Sequence, residues 1–241
     1  MFKSLIKKSN YLLKLGRYNK PSGSFLLMWP CYWGSMIEVN NQFLFIKSLI
    51  LFFLGSFIMR GAGCCINDIL DKEYDVKVKR TRERPFASGK LNLTEAVFFT
   101  IFQLLIGLLV ILQFDSQVII IGFIIMPFVF IYPLLKRFTH FPQVLLGLIF
   151  NWGIIIGYIS QNNLFDYKIL FIYFAGVFLT IAYDTVYGFQ DIEDDKKIGV
   201  KSLSILIENN SVYYLATLYF ISFLFFTFFF FIYYDGFVKN V

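Results

Sequence analysis

The chain has 241 residues, is 58% hydrophobic and 21% aromatic, and is only 16% charged. A soluble domain is nearer half apolar and a quarter charged, so this composition excludes a water-soluble core and indicates a polytopic helical membrane protein. The net charge is +6 and the sole histidine is His140, which excludes a multi-histidine metal site. Cys31, Cys64 and Cys65 have no zinc-ligand spacing and read as small apolar helix residues.

Residues 1–20 hold Lys3, Lys7, Lys8, Lys14, Arg17 and Lys20 and no acid. They predict a basic cytoplasmic segment lying on anionic lipid. A signal peptide does not fit, because the apolar stretch that follows is broken by Pro30. Apolar spans then recur at 24–37, 43–66, 96–114, 117–135, 143–160, 168–188 and 212–234, which predicts an all-α transmembrane bundle of about seven spans in a single domain, 1–241. With the N-terminus in the cytoplasm, eighteen Lys and Arg fall on the inner side and three, Lys47, Lys168 and Lys239, on the outer side. The positive-inside rule supports that orientation.

Two acidic clusters interrupt this pattern: Asn67-Asp68-Ile69-Leu70-Asp71-Lys72-Glu73-Tyr74-Asp75 and Asp191-Ile192-Glu193-Asp194-Asp195. Carboxylates at the edge of hydrocarbon are costly and mark a functional site by default. Both clusters hold a D-x-x-x-D spacing, Asp71/Asp75 and Asp191/Asp195, and both fall on the cytoplasmic side. If the span ending near residue 66 stays helical through the first cluster, most of Arg60, Asn67, Asp68, Asp71 and Asp75 share one stripe. Asp184, Asp191 and Asp195, at steps of seven and four, aim from another helix end at the same cavity. Carboxylates so crowded repel one another, and Mg²⁺, a hard ion that bridges carboxylates to phosphate oxygens, removes the conflict. Asn67-Asp68-Ile69-x-Asp71 also parallels Gln190-Asp191-Ile192-x-Asp194, as in an internal repeat.

Basic residues follow each cluster. Arg80, Arg84 and Lys197 are candidates to neutralise a diphosphate, although membrane sidedness alone accounts for many such charges. Arg60 lies inside an apolar span and needs a partner there. Lys136 and Arg137 stand where the fourth span meets water, as interface anchors or as phosphate ligands.

The stretch Met59-Arg60-Gly61-Ala62-Gly63-Cys64-Cys65-Ile66-Asn67-Asp68 and the run from Arg80 to Gly89 resemble the UbiA superfamily of intramembrane aromatic prenyltransferases, in particular its 4-hydroxybenzoate polyprenyltransferase branch of ubiquinone biosynthesis. Tyr132 to Gln143, Tyr183-Asp184-Thr185 and Asp191 to Ser202 resemble it as well, as do Arg17, Pro21, Gly23 and Leu27 to Pro30. The resemblance implies that Mg²⁺ held by both aspartate motifs grips a polyprenyl diphosphate. The diphosphate leaves, the allylic cation is attacked by 4-hydroxybenzoate, and a ring proton is lost, giving 3-polyprenyl-4-hydroxybenzoate. By matching position it implies Asn67, Asp68, Asp71, Asp75, Asp191 and Asp195 as metal and diphosphate ligands, with Asp184 and Arg137 near the acceptor or diphosphate. The short Lys-rich start favours a bacterial over a mitochondrial inner membrane, with lipid as the surrounding partner and no nucleic acid. The resemblance also implies nine spans where seven are legible, so the chain is expected to lack the last two.

Three alternatives stay open: a sister transferase with another aromatic acceptor, an inactive truncated remnant, and a divalent-cation transporter. The last is disfavoured because both clusters lie on one side and the spans between hold almost no charge. Prenyl chain length and oligomeric state are not legible in the sequence.

Overall fold

The computed structural model describes residues 2–162 and 165–239. Every regular element among them is helical: α1 (Phe2–Leu15), α2 (Ser22–Ile37), α3 (Gln42–Leu70), α4 (Lys72–Asp75), α5 (Leu93–Ile111), α6 (Ser116–Leu135), α7 (Pro142–Ile159), α8 (Ile169–Gly188), α9 (Ile192–Ile198), α10 (Leu203–Leu206) and α11 (Ser211–Lys239). Single 3₁₀ turns lie at Phe189–Asp191 and Glu208–Asn210. All seven expected apolar stretches are helices. Among the described residues, six helices are long and apolar enough to cross a membrane: α3, α5, α6, α7, α8 continuing into α9, and α11 with the turn before it. The seventh, α2, has 16 residues. That is about 24 Å of helix, short of the roughly 30 Å hydrocarbon core.

α7 and α8 form the buried centre, where Ile155, Tyr158, Ile159, Tyr173, Val177 and Ile181 make one apolar cluster. α2 lies against α7 at backbone contact. A Cβ on Gly34 would stand 2.0 Å from the Ile154 carbonyl oxygen, and one on Gly157 2.1 Å from that of Cys31. Lipid supplies no hydrophobic drive between helices, so small residues that allow such close approach supply the packing. Polar side chains add ties across the bundle. Asn151 donates to Thr180 Oγ1 at 2.8 Å, joining α7 to α8, and Ser222 Oγ donates to the Ala175 carbonyl at 2.8 Å, joining α11 to α8. Trp152 Nε1 donates to the Ile121 carbonyl at 3.0 Å, joining α7 to α6.

α5, α6 and α11 turn large apolar side chains outward, among them Phe98, Phe102, Phe123, Phe220 and Phe230. An apolar surface of this extent needs a lipid solvent. The charged loops gather at one end of the bundle. Lys79 N donates to Asp194 Oδ2 at 2.9 Å, and Lys201 N to the Lys136 carbonyl at 2.8 Å. The opposite end holds Asn40 bonded to Asn162 at 2.7 Å and Lys47 Nζ bonded to the Gln113 carbonyl at 2.9 Å. The three cysteines are free and buried, as expected of small helix residues.

Candidate active site

α3 carries Asn67 and Asp68 on its last turn and ends at Leu70. Asp71 caps it, the chain re-enters a single turn as α4, and Asp75 N bonds back to the Asp71 carbonyl at 2.8 Å. The helix therefore does not run unbroken through the first cluster. The i to i+4 relation of Asp71 and Asp75 survives on that separate turn. Asp68, Asp71 and Asp75 are all buried, at 2%, 1% and 7% exposure. Ionised carboxylates at such depth must be paired, and each is. Arg17 Nη2 donates to both oxygens of Asp68 at 2.7 and 2.8 Å. Arg84 Nη1 reaches Asp68 at 3.0 Å and Asp75 at 2.8 Å. Lys136 Nζ bonds Asp71 Oδ2. Burial pushes the Asp71 carboxyl above the ordinary carboxylate range, and the Lys136 ammonium pulls it part of the way back.

The second cluster hangs from α8 through the 3₁₀ turn Phe189–Asp191. That turn breaks the expected stripe of Asp184, Asp191 and Asp195, since its tighter winding resets the helical phase. Arg80 Nε donates to both oxygens of Asp191 at 2.9 and 3.0 Å, and these bonds raise the Arg80 pKa above its ordinary value. α9 then carries Asp195 and ends at Gly199, whose left-handed φ of 73° suits glycine.

These elements border a half-open cavity of about 1420 Å³. Asn67, Asp68, Asp71, Lys136, Asp184 and Asp195 line it, together with Arg17, Arg60, Arg80 and Arg84. Asp75 and Asp191 are not on its wall and lie one layer behind it, paired with Arg84 and Arg80. The parallel between the clusters shifts by one residue: Asp71 reaches the cavity from the first, whereas Asp195 rather than Asp194 reaches it from the second. Arg137 turns away, donating to the Leu70 carbonyl at 2.8 Å with its guanidinium over the Tyr74 ring. Lys197 is not brought to the cavity either. Two residues past Asp195 on a helix it faces the opposite way, into solvent, 3.9 Å from Asp194.

Among the described residues, Arg60 is the one cation on this wall with a buried, unmade bond, at its Nε. Its guanidinium lies over the Phe150 ring at 5.7 Å, and a Cβ on residue 23 would stand 2.6 Å from that nitrogen, so Gly23 leaves it room. Asp184 lies within its electrostatic reach.

Arg17 was not among the residues the sequence singled out for the site. It ends the basic segment with a positive φ of 60°, donates to the Lys14 and Leu15 carbonyls, and clamps Asp68. Nothing in the spacing of the six basic residues distinguishes it; only its place among the family-like positions pointed to it.

The arrangement joins a charged chamber to an apolar interior in which Leu104, Leu108, Met126 and Ile149 face the same space. Residues 27–238 match the model of the UbiA prenyltransferase family. The chain belongs to this family. It is 42% identical over 218 residues to a mitochondrial 4-hydroxybenzoate polyprenyltransferase of Aedes aegypti, covering 89% of this chain and 49% of that protein. It is 40% identical over 212 residues to a 4-hydroxybenzoate octaprenyltransferase of Psychromonas ingrahamii, covering 88% and 74%. The chain thus spans about half the length of the mitochondrial relatives it matches. Its fold is shared with a UbiA homolog from Archaeoglobus fulgidus bound to DMAPP and Mg²⁺, at a TM-score of 0.70 and 18% identity over 92% of this chain and 78% of that one.

Proposed function

We propose that this UbiA-family chain transfers a polyprenyl group from polyprenyl diphosphate to the ring of 4-hydroxybenzoate in ubiquinone biosynthesis, with Mg²⁺ as cofactor. The observation that carries the reading is the single cavity that joins clustered carboxylates and cations to an apolar interior, the two halves of a lipid diphosphate. Relatives at about 40% identity that bear this activity in their names support the acceptor.

The residues present fit a hard divalent ion. Asp71 Oδ1 is buried and has no hydrogen-bond partner. Asn67, Asp68, Asp71 and Asp195 offer oxygen donors to one space. The contacts of Asp68, Asp71 and Asp75 with Arg17, Arg84 and Lys136 leave that trio electrically balanced, so a diphosphate adds charge that needs further cations. Among the described residues no three acidic, His or Cys side chains converge as a preformed metal cluster; the arginines and Lys136 stand among the carboxylates instead. Asn67, Asp68, Asp71 and Asp195 would hold the ion, with Asp75 and Asp191 behind them. Bound there, Mg²⁺ would supply charge stabilisation for the departing diphosphate.

Lys136 and Arg84 add fixed positive charge beside the leaving group. Phe150 and Tyr132 line the cavity and, with the apolar side chains around them, exclude water from an allylic cation. Arg60 takes the acceptor carboxylate, which satisfies its unmade bond. Asp184, within reach of Arg60, accepts the proton lost from the ring. The charged end faces the cytoplasm of a bacterial inner membrane, in keeping with the basic loops gathered there. The test is incorporation of labelled 4-hydroxybenzoate into lipid by purified protein in liposomes with Mg²⁺ and several polyprenyl diphosphates. Failure of folded protein to make any lipid product refutes the transferase reading, and product with a different aromatic acid only would assign the sister activity.

A further inference from the structure

Glycine is the weakest helix former after proline, so a glycine inside a helix calls for a reason. For several glycines of the bundle the reason is close packing. A Cβ on Gly34 or Gly157 would run into backbone at 2.0 and 2.1 Å, and one on Gly61 would stand 2.3 Å from Gln103 Oε1. Gly63 has no such reason. It lies well inside α3, and a Cβ on it would meet nothing within 4 Å. The open space beside it is the cavity, whose wall it helps to form. Its neighbours on that wall are Arg60 and Asn67. Steps of three and four put all three on one stripe of α3, with Gly63 about 4.5 Å along the axis from Arg60 and about 6 Å from Asn67. Arg60 brings a guanidinium whose Nε is buried and unpartnered, and Asn67 begins the acidic cluster. Between these two polar side chains the helix offers bare backbone.

We propose that Gly63 determines which acceptor the site takes: its missing side chain leaves the slot in which the aromatic ring lies. The inference rests on the transferase reading for what occupies the slot, and the slot itself on geometry. A carboxylate held by Arg60 puts the attached ring about one helical turn, 5.4 Å, nearer to Asn67, which is the level of Gly63. With no Cβ in the way, a flat ring reaches van der Waals contact with the helix backbone. Any side chain at position 63 takes up that space and pushes the ring off the line between its anchor and the diphosphate end, which weakens binding and misaligns the attacking carbon. A hydrocarbon tail does not suit this place, because it would strip water from Arg60 and Asn67 and give them no partner. A planar ring that carries its own carboxylate pairs Arg60 and fills the gap at once.

Gly63→Ala and Gly63→Leu test the slot. Alanine and leucine are better helix formers than glycine and the space is open, so both variants fold. The readouts are equilibrium binding of labelled 4-hydroxybenzoate and of labelled geranyl diphosphate to the full chain in detergent with Mg²⁺, and separate KM values for acceptor and prenyl donor in transfer. Relative to wild type, Gly63→Ala weakens 4-hydroxybenzoate binding by about tenfold and Gly63→Leu by about a hundredfold or more, the effect of one and of several carbons added to a filled pocket. Geranyl diphosphate binding is unchanged, and the acceptor KM rises alone. Size exclusion checks folding, and Gly63→Ala, the smaller change, decides by itself if Gly63→Leu does not fold. An equal loss for both ligands, a loss for geranyl diphosphate alone, or no loss overturns the slot. Graded loss of 4-hydroxybenzoate binding in a chain that transfers no prenyl group upholds the slot and overturns the transferase reading alone. Binding of no aromatic acid by wild type overturns both.

Discussion

Arg84→Met removes the cation that Asp68 and Asp75 share. Asp68 keeps both of its bonds from Arg17, so the loss falls mainly on Asp75, which is 7% exposed and has Arg84 as its ion-pair partner. Breaking a buried pair by removing one member costs about 3–5 kcal/mol, because the other charge stays behind uncompensated. Arg84 is itself partly exposed and Asp75 sits near the bundle end, so the lower figure, about 3 kcal/mol, is expected. If that account is right, the cost belongs to the stranded charge and not to the lost contact. Arg84→Met with Asp75→Asn should then recover about 2 kcal/mol of it, since a neutral amide needs no counter-ion. The assay is unfolding in mixed micelles as the SDS fraction rises, followed by circular dichroism. A single-mutant cost under about 1 kcal/mol, or a double mutant less stable than Arg84→Met, would refute the reasoning.

Asp71→Ala and Asp195→Ala should each lower transfer per folded molecule by at least about a hundredfold, Asp71→Ala also costing stability because it strands Lys136, and EDTA should abolish wild-type transfer with Mg²⁺ restoring it; near-normal rates in either variant would take that residue out of the site. Arg60→Met should raise KM for 4-hydroxybenzoate by about ten- to a hundredfold, the worth of one or two charge-assisted bonds, with KM for the polyprenyl diphosphate unchanged. A rise in both KM values would place Arg60 on the diphosphate instead. Gly34→Leu should prevent folding, because its Cβ would lie 2.0 Å from the Ile154 carbonyl oxygen on rigid backbone; a monodisperse, helical Gly34→Leu protein on size exclusion would contradict the packing described.

Much of the site was legible because charge in a hydrocarbon setting is costly. Asp68, Asp71, Asp184, Asp195 and Arg60 stood out against apolar spans, and all of them line one cavity. Periodicity placed the helices but not their interruptions. The breaks at Asp71 and at Phe189–Asp191 set the phase of the turns that follow, and on α9 that phase brings Asp195 to the cavity and leaves Lys197 away from it. Arg17 was hidden for a related reason: a basic residue in a basic segment carries no local mark, and only its bond to Asp68, 51 residues away, gives it a role.

The sequence by itself determined the helical membrane class, the gathering of the charged loops at one end, and the family. Each follows from properties summed over many residues: hydropathy over a span, charge over a loop, motifs along the chain. Tertiary structure alone decided which carboxylates face the cavity, which cations hold them, and which aromatic rings stack. Those depend on the angle at which a few side chains meet across helices far apart in the chain, and in a chain this rich in Phe no pattern of apolar residues tells Phe52 and Phe114 from the thirty other phenylalanines among its 32.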